Sequence, residues 1–501
     1  MHISDGAEYL TYLTPWSMVI LALSAYLAFS AIYNLHLHPL SKIPGPRLWA
    51  ISRLPFVWSL LRGTIVHDVE KLHRRYGPVL RIAPDEVTYA REDAWVDIFH
   101  PRPGHRPFLK DPTWWRSQAN KPLTLLSAIE PEEHARFRKL LAPAFTQRAL
   151  KAQEPVLHRY VNLLVERLRD VAAGDPEKGS EVNIVPWFNF VTFDIFGDLG
   201  FGESFECLEN SRYHPWIDLL FNSVKAASYI AAARFYPLVG WVLVKCIPPS
   251  LRRTQRAHGE QIAEKVSRRL NYELERPDIM SHLIEAKGQK GLTTGELNAT
   301  FVGLTTAGSE TTATVLVGTL NYLVNHPAQF GALTKEIREH FQAESEITLD
   351  ELRKLPYLHA VIQEGLRLCP PIPWVLPRLV PIGGDTTRVS IQTYTINRDP
   401  GYFHSPCEFC PERWLQGAKT DTGSPFYEDK LEAMQVFSTG TRSCMGQHLA
   451  WAEMKLVLAK AIWAIDFEAV EGKKVKWEDL RTFLLVEKRP IVVNMKVRQT
   501  E

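Results

Sequence analysis

The sequence predicts a mainly helical domain with a minor β component, preceded by one N-terminal transmembrane helix. Helical periodicity dominates the middle of the chain, and strand-like runs are short and gathered near its two ends. The segment from Tyr9 to Ser41 carries no formally charged residue. Solenoids and propellers are excluded, because no fixed-period repeat or long low-complexity tract is present. With 501 residues, 45% hydrophobic and 23% charged, the chain suits one large folded domain. A net charge of +2 leaves no concentrated basic footprint for nucleic acid.

Pro15 to Tyr33 is rich in Ile, Leu, Val, Ala, Phe and Trp and matches the ~20 residues that cross a bilayer core. A cleaved signal peptide needs a basic start, whereas Asp5 and Glu8 stand there. Lys42, Arg47, Arg53 and Arg62 follow the span, so the positive-inside rule places the bulk of the chain in the cytosol. Pro39, Pro44 and Pro46 then forbid helix continuation and make a semi-rigid spacer. The expected division is a tip and anchor over 1–35, a proline-rich hinge over 36–50 and a catalytic domain over 51–501.

Strands are expected at Val79 to Ile82, Glu86 to Ala90, Arg388 to Ile391 and Ile491 to Val497. Helices are expected at Glu132 to Leu141, Pro155 to Ala172, Thr254 to Glu275, Thr294 to Asn325 and Tyr357 to Leu368. Between Phe221 and Pro249 the chain is unusually apolar. Lys225, Arg234 and Lys245 interrupt that stretch and Pro237 breaks it, which favours a surface segment dipping into the membrane interface over a second span.

The six cysteines, Cys207, Cys246, Cys369, Cys407, Cys410 and Cys444, form no disulfide framework of regular spacings. Cys407 and Cys410 make a C-x-x-C without a second ligand pair at zinc-site spacing, so the pair reads as incidental. Cys444 lies in Phe437-Ser438-Thr439-Gly440-Thr441-Arg442-Ser443-Cys444-Met445-Gly446. An isolated thiol is more often a small buried hydrophobe, yet this string supplies what a metal-bound thiolate needs. Gly440 and Gly446 make positive φ available for a tight turn. Helical periodicity from Gln447 to Leu458 aims the positive end of a helix dipole at Cys444. Arg442 offers a bidentate guanidinium to an anionic group.

Two further strings carry chemistry. Ala307-Gly308-Ser309-Glu310-Thr311-Thr312 falls inside the longest expected helix, where Gly308 costs about 0.5–1 kcal/mol relative to Ala; close approach of a ligand is one reason for it. Glu310 beside the Thr311 hydroxyl can hold a water and relay protons, although a solvated acid beside back-bonding threonines is the plain alternative. Glu364 and Arg367 share a helix face, and Arg413 in Pro411-Glu412-Arg413-Trp414 offers a second guanidinium to the same carboxylate.

These strings resemble the cytochrome P450 family along nearly the whole chain. The resemblance implies haem b (iron protoporphyrin IX) with Cys444 as its axial thiolate and metal ligand, in a loop that includes Phe437, Gly440, Arg442 and Gly446. It implies further propionate partners in Arg378, within Leu376-Pro377-Arg378, and in Arg138 and His134, where His134 replaces the usual Trp of W-x-x-x-R. An exposed i,i+4 pair is the other reading of His134 and Arg138. Thr311 and Glu310 match the oxygen-activation motif and are the implied catalytic pair. Glu364, Arg367 and Arg413 match elements that fix the core around the haem. The segment from Pro101 to Ile129, with Trp114 and Trp115, corresponds to the variable roof of the pocket. Trp374, Val375, Phe301, Leu304 and Ala307 shape the pocket or are core packing.

Segments including His38-Pro39-Leu40-Ser41-Lys42-Ile43-Pro44-Gly45-Pro46 and Asn397-Arg398-Asp399-Pro400 look like those of membrane-anchored fungal members that tailor secondary metabolites such as polyketides and terpenoids. The implied activity is a haem-thiolate monooxygenase that uses dioxygen to hydroxylate or epoxidise a small hydrophobic substrate. Its electrons would come from NADPH-cytochrome P450 reductase, docked where Arg136, Lys139 and Arg442 supply positive charge. The alternative is an enzyme of the same fold that rearranges, desaturates or couples without net oxygen insertion. The implied location is the endoplasmic reticulum membrane, single-pass, with the catalytic domain facing the cytosol. One departure stands out: relatives usually carry a longer strand-and-turn passage with an I-P-x-G-T element after Gly383-Gly384, so this chain is about ten residues shorter there, a change of mild loop-closure cost.

Overall fold

The computed structural model describes residues 15–117, 121–175, 177–246, 249–272, 278–285, 291–381 and 387–499. Helices dominate and strands form a five-stranded, a three-stranded and a two-stranded sheet. The shortened passage after Gly383 lies outside the described residues. The strands on either side of it, Val375–Leu379 and Arg388–Ile391, pair antiparallel.

The apolar N-terminal helix runs from Pro15 to Ile32 with no buried side chain, and with the π-helical turn that follows it spans Pro15–Leu37. That length is sufficient to cross a membrane. Its C-terminal end is fastened to the sheet. The Asn34 amide donates to Ile51 O at 3.0 Å, and the buried Arg81 guanidinium donates to Asn34 O and Pro84 O, both at 2.7 Å. A Cβ on Gly45 would lie 2.4 Å from Arg81 O, so the proline-rich segment packs directly on the strand Val79–Ala83.

In the five-stranded sheet the order is Val79–Ala83, Glu86–Tyr89, Arg388–Ile391, Val375–Leu379, Leu109–Lys110. Glu86–Tyr89 and Arg388–Ile391 pair parallel, Glu86 opposite Arg388; the other pairs are antiparallel. Leu109–Lys110 was not expected from sequence, being too short to show alternation. It sets Lys110 directly opposite Arg378. A second sheet joins Ser180–Asn183, Val492–Val497 and Ile465–Ala469.

The main core wraps the central helix, Thr294–Val324. A capping box starts it: Thr293 Oγ accepts from Glu296 N and the Glu296 carboxylate accepts from Thr293 N. Against it lies Ile184–Phe201, buried over almost its whole length, with Ser309 Oγ donating to Thr192 O at 3.1 Å. Gly308 is explained here, because a Cβ would come within 2.9 Å of the Phe196 ring. A packed aromatic makes this close approach.

The expected helix at 155–172 begins earlier, at Gln147, because the Thr146 hydroxyl caps it from Ala149 N and Pro155 is tolerated inside it. The apolar stretch from Phe221 divides into helices Pro215–Arg234 and Pro237–Cys246, broken at Pro237. Leu238, Trp241 and Val242 are exposed there, as are Leu48, Leu54 and Trp58 near the anchor. The helix Leu54–Arg62, which carries Leu54 and Trp58, packs on Pro215–Arg234, and that helix packs in turn on Pro237–Cys246, which carries Leu238, Trp241 and Val242.

Candidate active site

Cys444 sits in a turn locked by its backbone. Cys444 N donates to Phe437 O at 2.9 Å and Ser443 N to Gly440 O at 3.2 Å, which folds the string back on itself. Gly440 has φ +73°, and a Cβ there would lie 2.1 Å from Phe99 O. Gly440→Ala is therefore expected to strain the loop by φ and by clash together, roughly 1–3 kcal/mol from the backbone alone. A lower melting temperature with reduced haem retention would show it, and unchanged values would count against this account. Gly446 corrects the expectation of positive φ at both glycines: it has φ −81° as N-cap of the helix Gln447–Ala464. Its missing side chain leaves the space beside Cys444 Sγ, which lies 4.0 Å from where a Cβ would stand.

Cys444 is exposed in a loop that is otherwise mostly half-buried, so its side chain opens onto a cleft. Burial pushes the thiol up, while the N–H groups of Gly446 and Gln447 and the Arg138 charge pull it down. The balance stays above the usual thiol value, so a thiolate here calls for a bound cation. Cys407 is also exposed but lies apart, beside Arg74, and Cys207 and Cys369 are buried.

Around the cleft the basic residues converge, with Glu130 beside Arg442. Arg138 donates to Ser443 O at 2.8 Å. Arg442 donates to Ala128 O and Ile129 O at 2.7 and 2.6 Å. Arg378 is buried over the Phe99 ring at 4.9 Å, and among the described residues no carboxylate pairs with it. Buried Lys110 donates to Leu126 O and lies over the Trp115 ring at 4.3 Å. His134 is buried on the helix Pro131–Leu141.

Burial, then the mutual repulsion of these cations, pushes His134 down to about 3, Arg378 to about 9 and Lys110 well below its ordinary value. Burial also brings Arg442 to about 10, with only Glu130 opposing. Like charges placed directly across a strand pair are unfavourable, and buried charges want partners. A group with two carboxylates fits this donor set. Lys110 was missed in the sequence, which holds no local signal for a lysine on a two-residue strand.

The opposite wall is the central helix. Ala307 is exposed and Gly303, Leu304, Gly308 and Thr311 are half-buried, whereas the same helix is buried throughout from Thr312 to Val324. These positions recur at helical spacing on one face, so that face borders the cleft. A Cβ on Gly303 would lie 3.3 Å from the Leu126 side chain, which makes segment 126–129 the bridge between this face and Arg442. The helix that begins after Cys444 also packs on the central helix.

Not every expected wall residue faces the opening. Phe301 is fully buried, 5.5 Å from the Phe201 ring, and Trp374 is buried edge-on to Phe56 and Trp114 at 5.9 and 5.4 Å. Both are core packing. Val375 is half-buried at the start of its strand.

The structure separates Glu310 from Thr311. Thr311 Oγ donates to Ala307 O at 2.7 Å on the cleft side. Glu310 is buried on another side of the helix, its Oε1 2.7 Å from Lys488 Nζ. Neighbouring helix positions diverge by about 100°, so the two side chains lie on different sides of the helix.

Beneath the site, Glu364 and Arg367 on the helix Pro356–Leu368 meet Arg413 with every side chain fully enclosed. Glu364 accepts from Arg367 at 2.6 and 2.9 Å, Arg413 at 3.2 Å, Trp414 Nε1 at 2.8 Å and Cys410 N at 2.9 Å. Arg413 also pairs with Asp429, another partner not read from the sequence.

The family model for cytochrome P450 matches residues 44–495. Cytochrome P450 monooxygenase lcsI of Purpureocillium lilacinum is 38% identical, covering 98% of this chain and 97% of its own. Trichothecene C-4 hydroxylase of Trichoderma arundinaceum is 38% identical over 96% of this chain and 97% of its own, and averantin hydroxylase of Dothistroma septosporum 38% over 96% and 91%. These relatives are named as monooxygenases or hydroxylases, and the family implies haem with cysteine thiolate ligation. With the exposed cysteine, the cluster of bases and the open helix face, this match shows that the chain belongs to the cytochrome P450 family and is a monooxygenase.

Proposed function

We propose that Cys444 is the axial ligand of haem b and that the enzyme hydroxylates or epoxidises a small hydrophobic fungal metabolite of polyketide or terpenoid type. The ring of Lys110, His134, Arg138, Arg378 and Arg442 beside an exposed cysteine carries this reading. Arg138, Arg378, Arg442 and Lys110 would hold the haem carboxylates, with neutral His134 as a hydrogen-bond donor. Haem ligated in this way supplies dioxygen activation at iron.

The chain's own part is to position, to exclude water and to deliver protons. Leu304 and Ala307 present an apolar wall to the substrate, and Val375 borders it from the sheet. Thr311 Oγ, free to turn from the Ala307 carbonyl, orients a proton-bearing water in the cleft. Glu310 serves as the acid behind it. The trichothecene and averantin hydroxylases support net oxygen insertion over rearrangement or coupling.

Electrons come from NADPH-cytochrome P450 reductase on the Cys444 side. Exposed Lys139 is the cation best placed there, since Arg136 is bound to Glu133 and Glu296. Residues 1–35 anchor the protein in the endoplasmic reticulum membrane, 36–50 join the anchor to the sheet and 51–501 form the cytosolic catalytic domain. The exposed Leu48, Leu54, Trp58, Leu238, Trp241 and Val242 make a second lipid contact.

Incorporation of labelled dioxygen into product by the reductase-reconstituted enzyme tests the reaction class, and product without label would overturn it. Thr311→Ala is expected to keep haem and fold but to release more hydrogen peroxide per NADPH, with product yield per electron falling about 100-fold, the low end of what a positioned proton-transfer group contributes. Full coupling in that variant would remove Thr311 from the proton path.

A further inference from the structure

The Glu310–Lys488 pair has no counterpart in the motifs. Lys488 lies in the loop between the strands Leu485–Val486 and Val492–Val497, with its side chain 6% exposed. Its ammonium is 2.7 Å from Glu310 Oε1, and it donates to Asn189 Oδ1 at 3.1 Å and Thr314 Oγ at 3.2 Å. Asn189, on the helix Ile184–Phe201, in turn donates to Tyr213 Oη at 2.8 Å. Glu310 Oε2 is buried without a hydrogen-bond partner.

A buried ion pair is weak evidence for stability, since apolar groups of the same shape often serve a fold as well. This one draws together the C-terminal loop, the helix Ile184–Phe201 and the central helix, one residue before Thr311. We propose that Lys488 is a positioning residue that docks the Glu310 carboxyl against the helix Ile184–Phe201, outside the cleft, so that the acid serves the cleft only when it parts from Lys488. The inference rests on the reading of Glu310 as proton donor to that cleft.

Burial pushes the Glu310 carboxyl up while Lys488 draws it down, and burial pushes Lys488 down while Glu310 draws it up. Lys488 is the one charged group acting on Glu310 among the described residues. Asn189 and Thr314 are uncharged, and Tyr213 is joined to the pair through Asn189. Without Lys488, desolvation alone acts on Glu310, and the acid stays protonated to higher pH.

The test uses the full-length haem-loaded enzyme with its reductase, NADPH and dioxygen, without organic substrate, measuring hydrogen peroxide released per NADPH consumed as pH is varied. Lys488→Met is expected to move the midpoint of that profile upward by about one pH unit or more, a tenfold change in proton affinity. Lys488→Arg keeps the wild-type profile. Lys488→Met combined with Glu310→Gln behaves as Glu310→Gln alone, because Lys488 acts through Glu310. An infrared difference spectrum between Lys488→Met and that double variant should show the protonated carboxyl stretch of Glu310. If Lys488→Met does not hold haem, Lys488→Gln removes the charge while keeping a donor and carries the same comparison. A wild-type pH profile in the charge-removing variant, or a double variant shifted beyond Glu310→Gln, overturns the inference. Glu310→Gln with an unchanged peroxide yield overturns the relay reading itself.

Discussion

Glu364→Ala is expected to lose the cooperative fold and haem together. The carboxylate is fully enclosed and accepts from Arg367, Arg413, Trp414 and Cys410. Arg413 keeps Asp429 when Glu364 is removed, so Arg367 becomes the stranded charge. Arg367 retains only the carbonyls of Asn397, Pro406 and Glu408. Breaking a buried pair by removing one partner costs about 3–5 kcal/mol, a large share of the roughly 5–15 kcal/mol that hold a domain folded.

Glu364→Gln should fall between wild type and Ala, since its amide keeps one acceptor but turns a donor toward guanidinium or indole N–H. Haem-to-protein ratio and thermal unfolding give the readout; a Glu364→Ala variant that melts as the wild type and binds full haem would defeat this account. Burial raises the Glu364 carboxyl, yet Arg367 and Arg413 hold it below its usual 4.5. Its contribution is thus fully present above pH 4.5 and is lost as pH falls through the lower folded value. Acid release of haem should therefore accompany unfolding.

That network was legible because each motif is local and its chemistry unambiguous: an acid and a base on one helix face, and a second arginine downstream. The same holds for Cys444 and for the helices and strands, whose periodicities survive in the structure with shifts at their ends. Contacts fixed by tertiary register were not legible. Lys110 faces Arg378 only because a two-residue strand pairs across from it, and Lys488 reaches Glu310 from the far end of the chain.

Apolar residues posed a second difficulty. Leu304 and Trp374 have the same hydrophobic character in sequence, yet one borders the cleft and the other fills a core of aromatic rings. Hydrophobicity reports removal from water and not which of two apolar environments receives the side chain. Gly308 is a related case, its reason lying in Phe196 on another helix.

Cys444→Ser should produce the opposite pattern to Glu364→Ala, with the fold kept and the chemistry lost. The loop is held by Cys444 N to Phe437 O, Ser443 N to Gly440 O, Arg138 to Ser443 O and Arg442 to Ala128 and Ile129 O. None of these bonds uses the sulfur. Serine is nearly isosteric at a side chain that opens onto the cleft, so the melting temperature of the haem-free chain should stay near that of wild type, within the ±0.5 kcal/mol usual for such positions. The serine hydroxyl lacks the thiolate's capacity to push electron density toward bound oxygen. Monooxygenase turnover is expected to fall at least about 10³-fold, which corresponds to ~4 kcal/mol of barrier. The reduced carbon monoxide difference spectrum should lose the thiolate red shift of its Soret band. The basic ring is untouched by the substitution, so some haem binding should persist through its carboxylates, which separates cofactor retention from ligation. A thiolate-type band in Cys444→Ser would mean that another sulfur binds iron, and neither buried Cys369 nor distant Cys407 is placed to do so.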